Sequence, residues 1–259
     1  MKISHVAAMV KRDILINIRM KWRLMEFIYF PLLTVLTWGF FSIYMQDYAL
    51  QAGLVVLAVN IFYSFAHLAQ STTNSQMMED VWSGSLKQVL VSGITEGEYI
   101  VSRVISTTIA AVLILGLMFG VGSFFGLTVI FQHGGLFALL ALITLLSSIA
   151  LSIIIVSMIL MLGRSYGFLS YSILSLLFLL SAPFYPIDIF PPVMQVVAQA
   201  MPYTNVFSGI RSVIGAGTVA DGILINGFIV AFAYIIVSIP LYYYAFSKAR
   251  KTGQLVRMT

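Results

Sequence analysis

The sequence contains no cysteine and very few charged residues. The absence of cysteine excludes a disulfide framework and a thiolate metal site. Charged residues make up 9% of the chain and hydrophobic residues 60%, whereas about a quarter of the residues in a soluble globular protein are charged. The motifs G-x-x-x-x-G-K-[ST], H-E-x-x-H and G-x-S-x-G are also absent. This composition predicts an all-α integral membrane protein that does not hydrolyse a nucleotide through a phosphate loop.

Six apolar segments are long enough to cross a membrane, because a helix needs about 20 residues to span about 30 Å of hydrocarbon. They are residues 27–45, 50–71, 100–128, 136–162, 166–184 and 222–246. No hydrophilic stretch is long enough to form a second folded domain. We therefore expect a single transmembrane domain over residues 1–259, with both ends on the same side of the membrane.

The basic residues are distributed unequally across these spans. With both ends on one side, 13 of the 14 Lys and Arg residues fall on that side, and Arg211 is the exception. Short loops that carry Lys and Arg stay cytoplasmic. This pattern predicts a multi-pass protein of the plasma (inner) membrane with cytoplasmic N- and C-termini. Basic residues that flank spans normally contact anionic lipid head groups, so no nucleic-acid partner is expected.

Two segments on the predicted cytoplasmic side have amphipathic patterns. In residues 1–23, apolar side chains recur at helical spacing between basic ones, which is typical of a helix that lies along the membrane interface. It is either a simple anchor or also a contact for a cytoplasmic partner. Residues 79–92 predict one short helix with Trp82, Leu86, Val89 and Leu90 on a single face and with Glu79 and Asp80 in its first turn. An isolated helix of this length is marginal in water, so its apolar face should rest on membrane or protein.

The predicted external segment before the last span is rich in proline. Five of the 7 prolines lie between residues 181 and 217, and proline ends helices because it lacks a backbone donor. Residues 193–200 and 205–214 each predict a short helix that cannot cross a bilayer. Their apolar character favours a re-entrant pair over residues 185–214 that dips into the outer leaflet, although a plain external loop is the alternative.

Span two carries a row of polar residues at spacings of four and three, which are Asn60, Ser64, His67, Ser71 and Asn74. Polar groups in hydrocarbon need partners or water, so this row should bond another helix or line a translocation path. A proton-carrying role for His67 is disfavoured because no carboxylate partner is evident in the spans. The three histidines fall at different depths, so neither a metal site nor a cofactor is expected. Arg103 is predicted to reach the lipid head groups without any special role.

Two stretches of the chain resemble the membrane subunit of the type-2 ABC transporter permease family. In the first, an acidic residue, a Gly, a Leu, a Gln-Leu-Leu-like run and a Ser-Pro turn precede span three. Here they read Glu79, Gly84, Leu86, Gln88-Val89-Leu90 and Ser92-Gly93, so that glycine replaces the usual proline and a looser turn is expected. The second stretch is Phe184-Tyr185-Pro186 and Pro191-Pro192, followed by Pro202 and Asn205.

The resemblance implies a permease subunit that pairs with a second copy, or with a different permease, and with a separate cytoplasmic ATPase. Residues 79–92 would be the coupling helix, which contacts the ATPase through Glu79, Asp80, Trp82, Gly84, Leu86, Val89 and Leu90. Spans two and five would line the path, and its outer gate would include Pro183, Tyr185, Pro186, Pro191, Pro192, Pro202 and Asn205. The cargo would be amphiphilic, drug-like or a lipid-linked glycan. A secondary carrier and a membrane-embedded lipid-modifying enzyme remain as alternatives.

Overall fold

A computed structural model describes residues 2–162 and 167–251, without the side chains of Trp82 and residues 169–171. Every regular element in this part of the chain is helical, as predicted. The first helices are α1 (Ile3–Arg19), α2 (Lys21–Tyr44), α3 (Gln46–Trp82), α4 (Ser85–Val91) and α5 (Glu96–Ser123). They are followed by α6 (Val129–Gln132), α7 (Gly134–Leu162), α8 (Leu169–Leu180), a 3₁₀ turn (Ile187–Ile189), α9 (Pro192–Ala200), α10 (Thr204–Ala216) and α11 (Asp221–Lys251).

Five helices in the described ranges are long and apolar enough to cross a membrane, namely α2, α3, α5, α7 and α11. They correspond to five of the six predicted spans. The remaining span was predicted over residues 166–184, where α8 has 12 described residues. Residues 163–166, which include Arg164, lie outside the described part of the chain, as do residues 252–259 with Arg257.

Helix α3 forms the centre of the bundle and runs antiparallel to α5. Thr73 donates a hydrogen bond to Thr107 at 3.0 Å, and the rings of Phe62 and Phe119 lie 5.9 Å apart further along the same pair of helices. Both flanks of α3 are covered, because α2 and α7 also pack along it. This position leaves the middle of α3 buried on most sides.

Both described ends of the chain lie at the same end of the bundle. Arg250 of α11 donates to Glu96 of α5 at 3.0 Å, and His5 of α1 lies 3.1 Å from Glu98 of α5. Thr95 and Glu98 form a reciprocal capping box that starts α5 beside these contacts. We call this part of the molecule the basic end, because both basic terminal segments converge there.

The helix predicted over residues 79–92 is divided in the structure, so the prediction of one continuous helix is wrong. Helix α3 continues to Trp82, and α4 starts only at Ser85. Gly84, between them, has φ of +71°, a conformation that residues with a Cβ rarely adopt. Consequently Glu79 and Asp80 lie in the last turn of α3 rather than in the first turn of a separate helix.

The turn after α4 also depends on a glycine. Gly93 has φ of +88°, whereas the ring of proline fixes φ near about −65°. The proline that the family resemblance led us to expect at this position could not adopt this backbone. The replacement noted in the sequence therefore gives a different turn, not merely a looser one.

The two short helices predicted in the proline-rich segment are present as α9 and α10, with boundaries within a few residues of those expected. Their connection lies deep along the long helices. Tyr203 and Ser148 of α7 are joined by a 3.0 Å hydrogen bond, and Tyr234 of α11 donates to the carbonyl of Ala200 at 3.3 Å. Gly217, just after α10, instead approaches His133 at the start of α7.

Candidate functional site

A buried ion cluster at the basic end joins α1, α3 and α5. The guanidinium of Arg103 on α5 forms ion pairs with Asp13 of α1 and with Asp80 of α3. The Arg103 side chain is 2% exposed and that of Asp13 is 0% exposed. The prediction that Arg103 reaches the lipid head groups is therefore wrong, because its charge is neutralised inside the protein. Its Cζ atom also lies 4.9 Å from the centre of the Tyr99 ring.

Asp80 is the residue on which most contacts of this cluster converge. Its Oδ2 accepts hydrogen bonds from Arg12 at 2.8 Å and from the hydroxyl of Tyr99 at 2.8 Å. Its Oδ1 accepts from Ser85, the first residue of α4, at 2.8 Å. Asp80 thus connects the end of α3 to α1, α4 and α5. The term Arg103 cluster is used below for Arg12, Asp13, Asp80, Tyr99, Arg103 and Ser106, which donates to Asp13 at 3.1 Å.

Arg23 and Glu98 make further contacts that hold α1 in the same region. Arg23 pairs with Glu79 and donates to Asn17 at 2.8 Å. Glu98 accepts from the backbone of Lys2 and from the capping residue Thr95. Helix α1 is consequently held at both ends by charged groups of other helices.

Helix α1 therefore buries a partly polar face. Val6, Met9, Asp13 and Asn17 are buried against the bundle. Val6 of the predicted apolar stripe belongs to this buried face, whereas Ile3 and Ile18 of the same stripe are 82% and 58% exposed. A helix is present over most of residues 1–23, as predicted, and its exposed apolar stripe remains available to lipid.

The apolar face of α4 is covered by the protein itself. Leu86 and Val89 are buried, at 2% and 9% exposure, while Val91 on the other side is 88% exposed. Leu90 is partly buried against the same core, and the side chain of Trp82 lies outside the described part. Neighbouring helices of the same chain thus cover Leu86 and Val89, and the expected contact of these two side chains with a partner stays a prediction.

A cavity of about 390 Å³ lies between α2 and α3. Ser64, His67 and Ser71 from the polar row of α3 line it, facing Glu26 and Thr34 of α2. The structure thus brings three of the five predicted path residues together at one cavity. Glu26 was not recognised from the sequence as a candidate, although it is the one acidic residue in its apolar stretch.

The other two residues of the polar row do not line this cavity. Asn60 donates to the carbonyl of Val56 in its own helix at 2.8 Å. Asn74 is 1% exposed, and neither its amide nitrogen nor its amide oxygen has a hydrogen-bond partner among the described residues. Tyr63 also lines the cavity, and the centre of its ring lies 4.3 Å from the centre of the Phe178 ring on α8.

The proline-rich segment is held by Arg211, which is the one Lys or Arg within the described ranges that lies away from the basic end. Arg211 of α10 donates to the carbonyls of Ala182 and Pro183 at 2.7 and 2.9 Å. Ala182 has φ of +48°, and these bonds hold the strained turn that follows α8.

The predicted gate residues are spread along this segment. Pro183 and Pro202 are buried, and Asn205 is partly buried near Gly227. Pro191 caps α9 and Pro192 is its first residue. The ring centres of Tyr185 and Phe190 are 5.5 Å apart. Pro186 precedes the 3₁₀ turn. Apart from the contact between Tyr185 and Phe190, these residues support turns and helix starts rather than forming one cluster.

A comparison with protein-family models gives a match over most of the chain. The matching model, described as ABC-2 type transporter, covers residues 4–214. No curated protein matches the chain. The matched range contains the Arg103 cluster, the cavity between α2 and α3, the whole of α9 and all but the last two residues of α10.

Proposed function

The chain belongs to the ABC-2 type transporter family, and from this we propose that it is the permease subunit of an ATP-driven exporter. It is a membrane transport subunit rather than an enzyme. The family match over residues 4–214 is the observation that carries the proposal. The cargo is an amphiphile, either drug-like or a lipid-linked glycan.

The energy for transport comes from a separate cytoplasmic ATPase. The sequence has no phosphate loop, so nucleotide hydrolysis by that route requires a second chain. We place the contact with this ATPase on the exposed side of α4, which carries Lys87, Gln88 and Val91. The buried side of α4 keeps Leu86 and Val89 against the permease, so that a force on the exposed side moves α4 together with the helices beneath it.

The Arg103 cluster transmits this movement to the rest of the permease. Ser85 at the start of α4 bonds Asp80, and Asp80 pairs with Arg103 of α5 and Arg12 of α1. Charged pairs removed from water resist separation, because breaking one leaves an uncompensated buried charge. Helices α1, α3, α4 and α5 therefore move as one unit at the basic end.

The permease crosses the membrane six times, with both ends in the cytoplasm. Helices α7 and α11 run parallel, since Gly227 approaches Ile143 near their starts and Ile153 and Ile239 line one groove further along. The chain must return to the opposite end between these two helices, and α8 lies in that stretch. The basic terminal segments support the cytoplasmic assignment.

Helices α9 and α10 form a re-entrant pair that closes the outer end of the path. Their connection contacts Ser148 and Tyr234, each about 20 Å along its helix from the outer end at 1.5 Å per residue. After α10 the chain returns to the outer end, where Gly217 lies close to His133 at the start of α7. A second copy of the permease, or a related subunit, completes the path between two such chains.

Co-purification and transport with the paired ATPase test this proposal. The tagged chain is co-expressed with candidate phosphate-loop ATPases from the same genome, and any complex that forms is reconstituted into vesicles. We expect the ATPase to co-purify and a fluorescent amphiphile to move with ATP but not with ADP. Movement by the purified chain alone, driven by an ion gradient, would instead identify a secondary carrier and overturn the proposal.

A further inference from the structure

Glu26 presents a carboxylate to the cavity between α2 and α3. It is half-buried, and it accepts no hydrogen bond and forms no ion pair with any residue that the structure describes. Arg23 is close enough to interact electrostatically with Glu26, but its guanidinium is bonded to Glu79 and Asn17. A carboxylate on a membrane helix is costly unless it has a partner, and such residues commonly mark a binding site or a pathway.

The remainder of the cavity wall suits a cation and not an anion. Among the residues that the structure describes, no Lys or Arg lines this cavity, and its polar groups besides Glu26 are hydroxyls and an imidazole. Phe30 and Tyr63 add aromatic rings, whose faces attract cations. A phosphate or pyrophosphate head would meet the carboxylate of Glu26, and the nearby guanidinium of Arg23 is already paired with Glu79. The wall therefore disfavours cargoes whose head group is anionic.

The dimensions fit an amphiphile of drug size. The cavity volume of about 390 Å³ falls within the range of small-molecule sites, which is about 300–1,000 Å³. From Glu26 to Thr34 the helix rises about 12 Å at 1.5 Å per residue. The apolar wall of the cavity, including Phe30 and Leu68, can contact an apolar body while Glu26 contacts the charged group.

We propose that this cavity binds amphiphilic cations, with the positive group at Glu26 and the apolar body along Phe30 and Leu68. This inference rests on the proposed export function, because the bound cation would be the exported cargo. The same ammonium chemistry has a second source, since the amine head group of a phospholipid could occupy the site. Both sources use the carboxylate of Glu26 in the same way.

Binding of a matched pair of ions tests the site without requiring transport. Tetraphenylphosphonium and tetraphenylborate have nearly the same size and shape but opposite charge. Binding of each to the purified chain, in nanodiscs that contain only phosphatidylglycerol, is measured by equilibrium dialysis. We expect the cation to bind and Glu26→Gln to weaken it about tenfold, which corresponds to ~1.4 kcal/mol.

Two further variants and one lipid comparison complete the test. Glu26→Asp should retain part of the preference for the cation, and Asp47→Asn, which removes an exposed carboxylate elsewhere, should bind like the wild type. If added phosphatidylethanolamine competes with the probe in the wild type but not in Glu26→Gln, the amine of a lipid is the natural occupant. If it does not compete, the occupant is a soluble amphiphilic cation. Gel filtration checks that each variant is folded.

Binding and transport measurements together distinguish a failure of the cation site from a failure of the proposed export function. Unchanged cation binding by Glu26→Gln, or tighter binding of tetraphenylborate by the wild type, would overturn the cation site. ATP-driven transport that is unaffected by Glu26→Gln would leave the exporter proposal intact while removing the role of this cavity. Binding that depends on Glu26 without any ATP-driven transport would retain the site and reject the exporter.

Discussion

Arg103 and Asp13 form an ion pair that is almost completely shielded from solvent, although they belong to α5 and α1. The pair makes the N-terminal helix part of the folded bundle rather than a loose membrane anchor. Arg103 also pairs with Asp80, and Arg12 pairs with both carboxylates, so that two arginines balance two aspartates. Removing one of the two arginines would leave a buried negative charge without compensation.

Replacing Arg103 should destabilise the protein strongly. Arg103→Met leaves the buried Asp13 and Asp80 with Arg12 as their one remaining cation among the described residues, and breaking a buried pair costs about 3–5 kcal/mol. Thermal unfolding followed by fluorescence-detected gel filtration measures the loss. Arg250→Met is the matched control, because Arg250 is 68% exposed in its pair with Glu96 and such surface pairs contribute about 0–1 kcal/mol. Equal unfolding temperatures for the two variants would contradict the role of Arg103.

Most of the helices could be predicted, because they depend on sequence patterns within one continuous segment. Long apolar runs gave α2, α3, α5, α7 and α11, because helix length and hydropathy are properties of a continuous segment. Proline pairs and helical spacing gave α9 and α10 for the same reason. The polar row of α3 also pointed to the helix face on which part of the cavity wall lies.

The Arg103 cluster could not be predicted in the same way, because its residues come from three helices. Helical periodicity identifies a face but does not identify the helix that covers it. One signal was available: Asp13 shares its face with Val6 and Met9, which form the buried side of α1. A carboxylate among buried apolar residues of a basic helix requires a cationic partner, and Arg103 was the basic residue inside span three. Gly84 similarly indicated the break before α4, since glycine permits positive φ.

Substitutions on the two sides of α4 should have different effects. Leu86→Asp places a charge in the core and should prevent stable folding, whereas Val91→Asp, at a position that is 88% exposed, should leave the fold intact. We expect Val91→Asp to reduce both co-purification of the ATPase and its stimulation by the permease. Val193→Asp is the control, because Val193 is 79% exposed on α9. Normal ATPase binding by Val91→Asp would show that α4 docks by another surface.

Arg211 should be required for the turn after α8. Arg211→Ala leaves the carbonyls of Ala182 and Pro183 without their donor, which costs about 1–3 kcal/mol for each buried group left unsatisfied. Arg211→Lys can restore one of the two bonds, so its unfolding temperature should lie between those of the alanine variant and the wild type. Ser212→Ala, which removes only a bond within α10, should have a much smaller effect. A wild-type unfolding temperature for Arg211→Ala would mean that other bonds hold this turn.

The orientation of the permease can be measured directly because the chain has no cysteine. A single introduced cysteine is then the only thiol, and a membrane-impermeant maleimide reports the side on which it lies. Gln88→Cys on α4 and Gln132→Cys at the end of α6 replace exposed residues at the two ends of the bundle. If the basic end is cytoplasmic, intact cells should label Gln132→Cys, and only inverted vesicles should label Gln88→Cys. The reverse pattern would place α4 outside the cell, where no ATPase could reach it, and labelling of both positions from one side would require a different number of crossings.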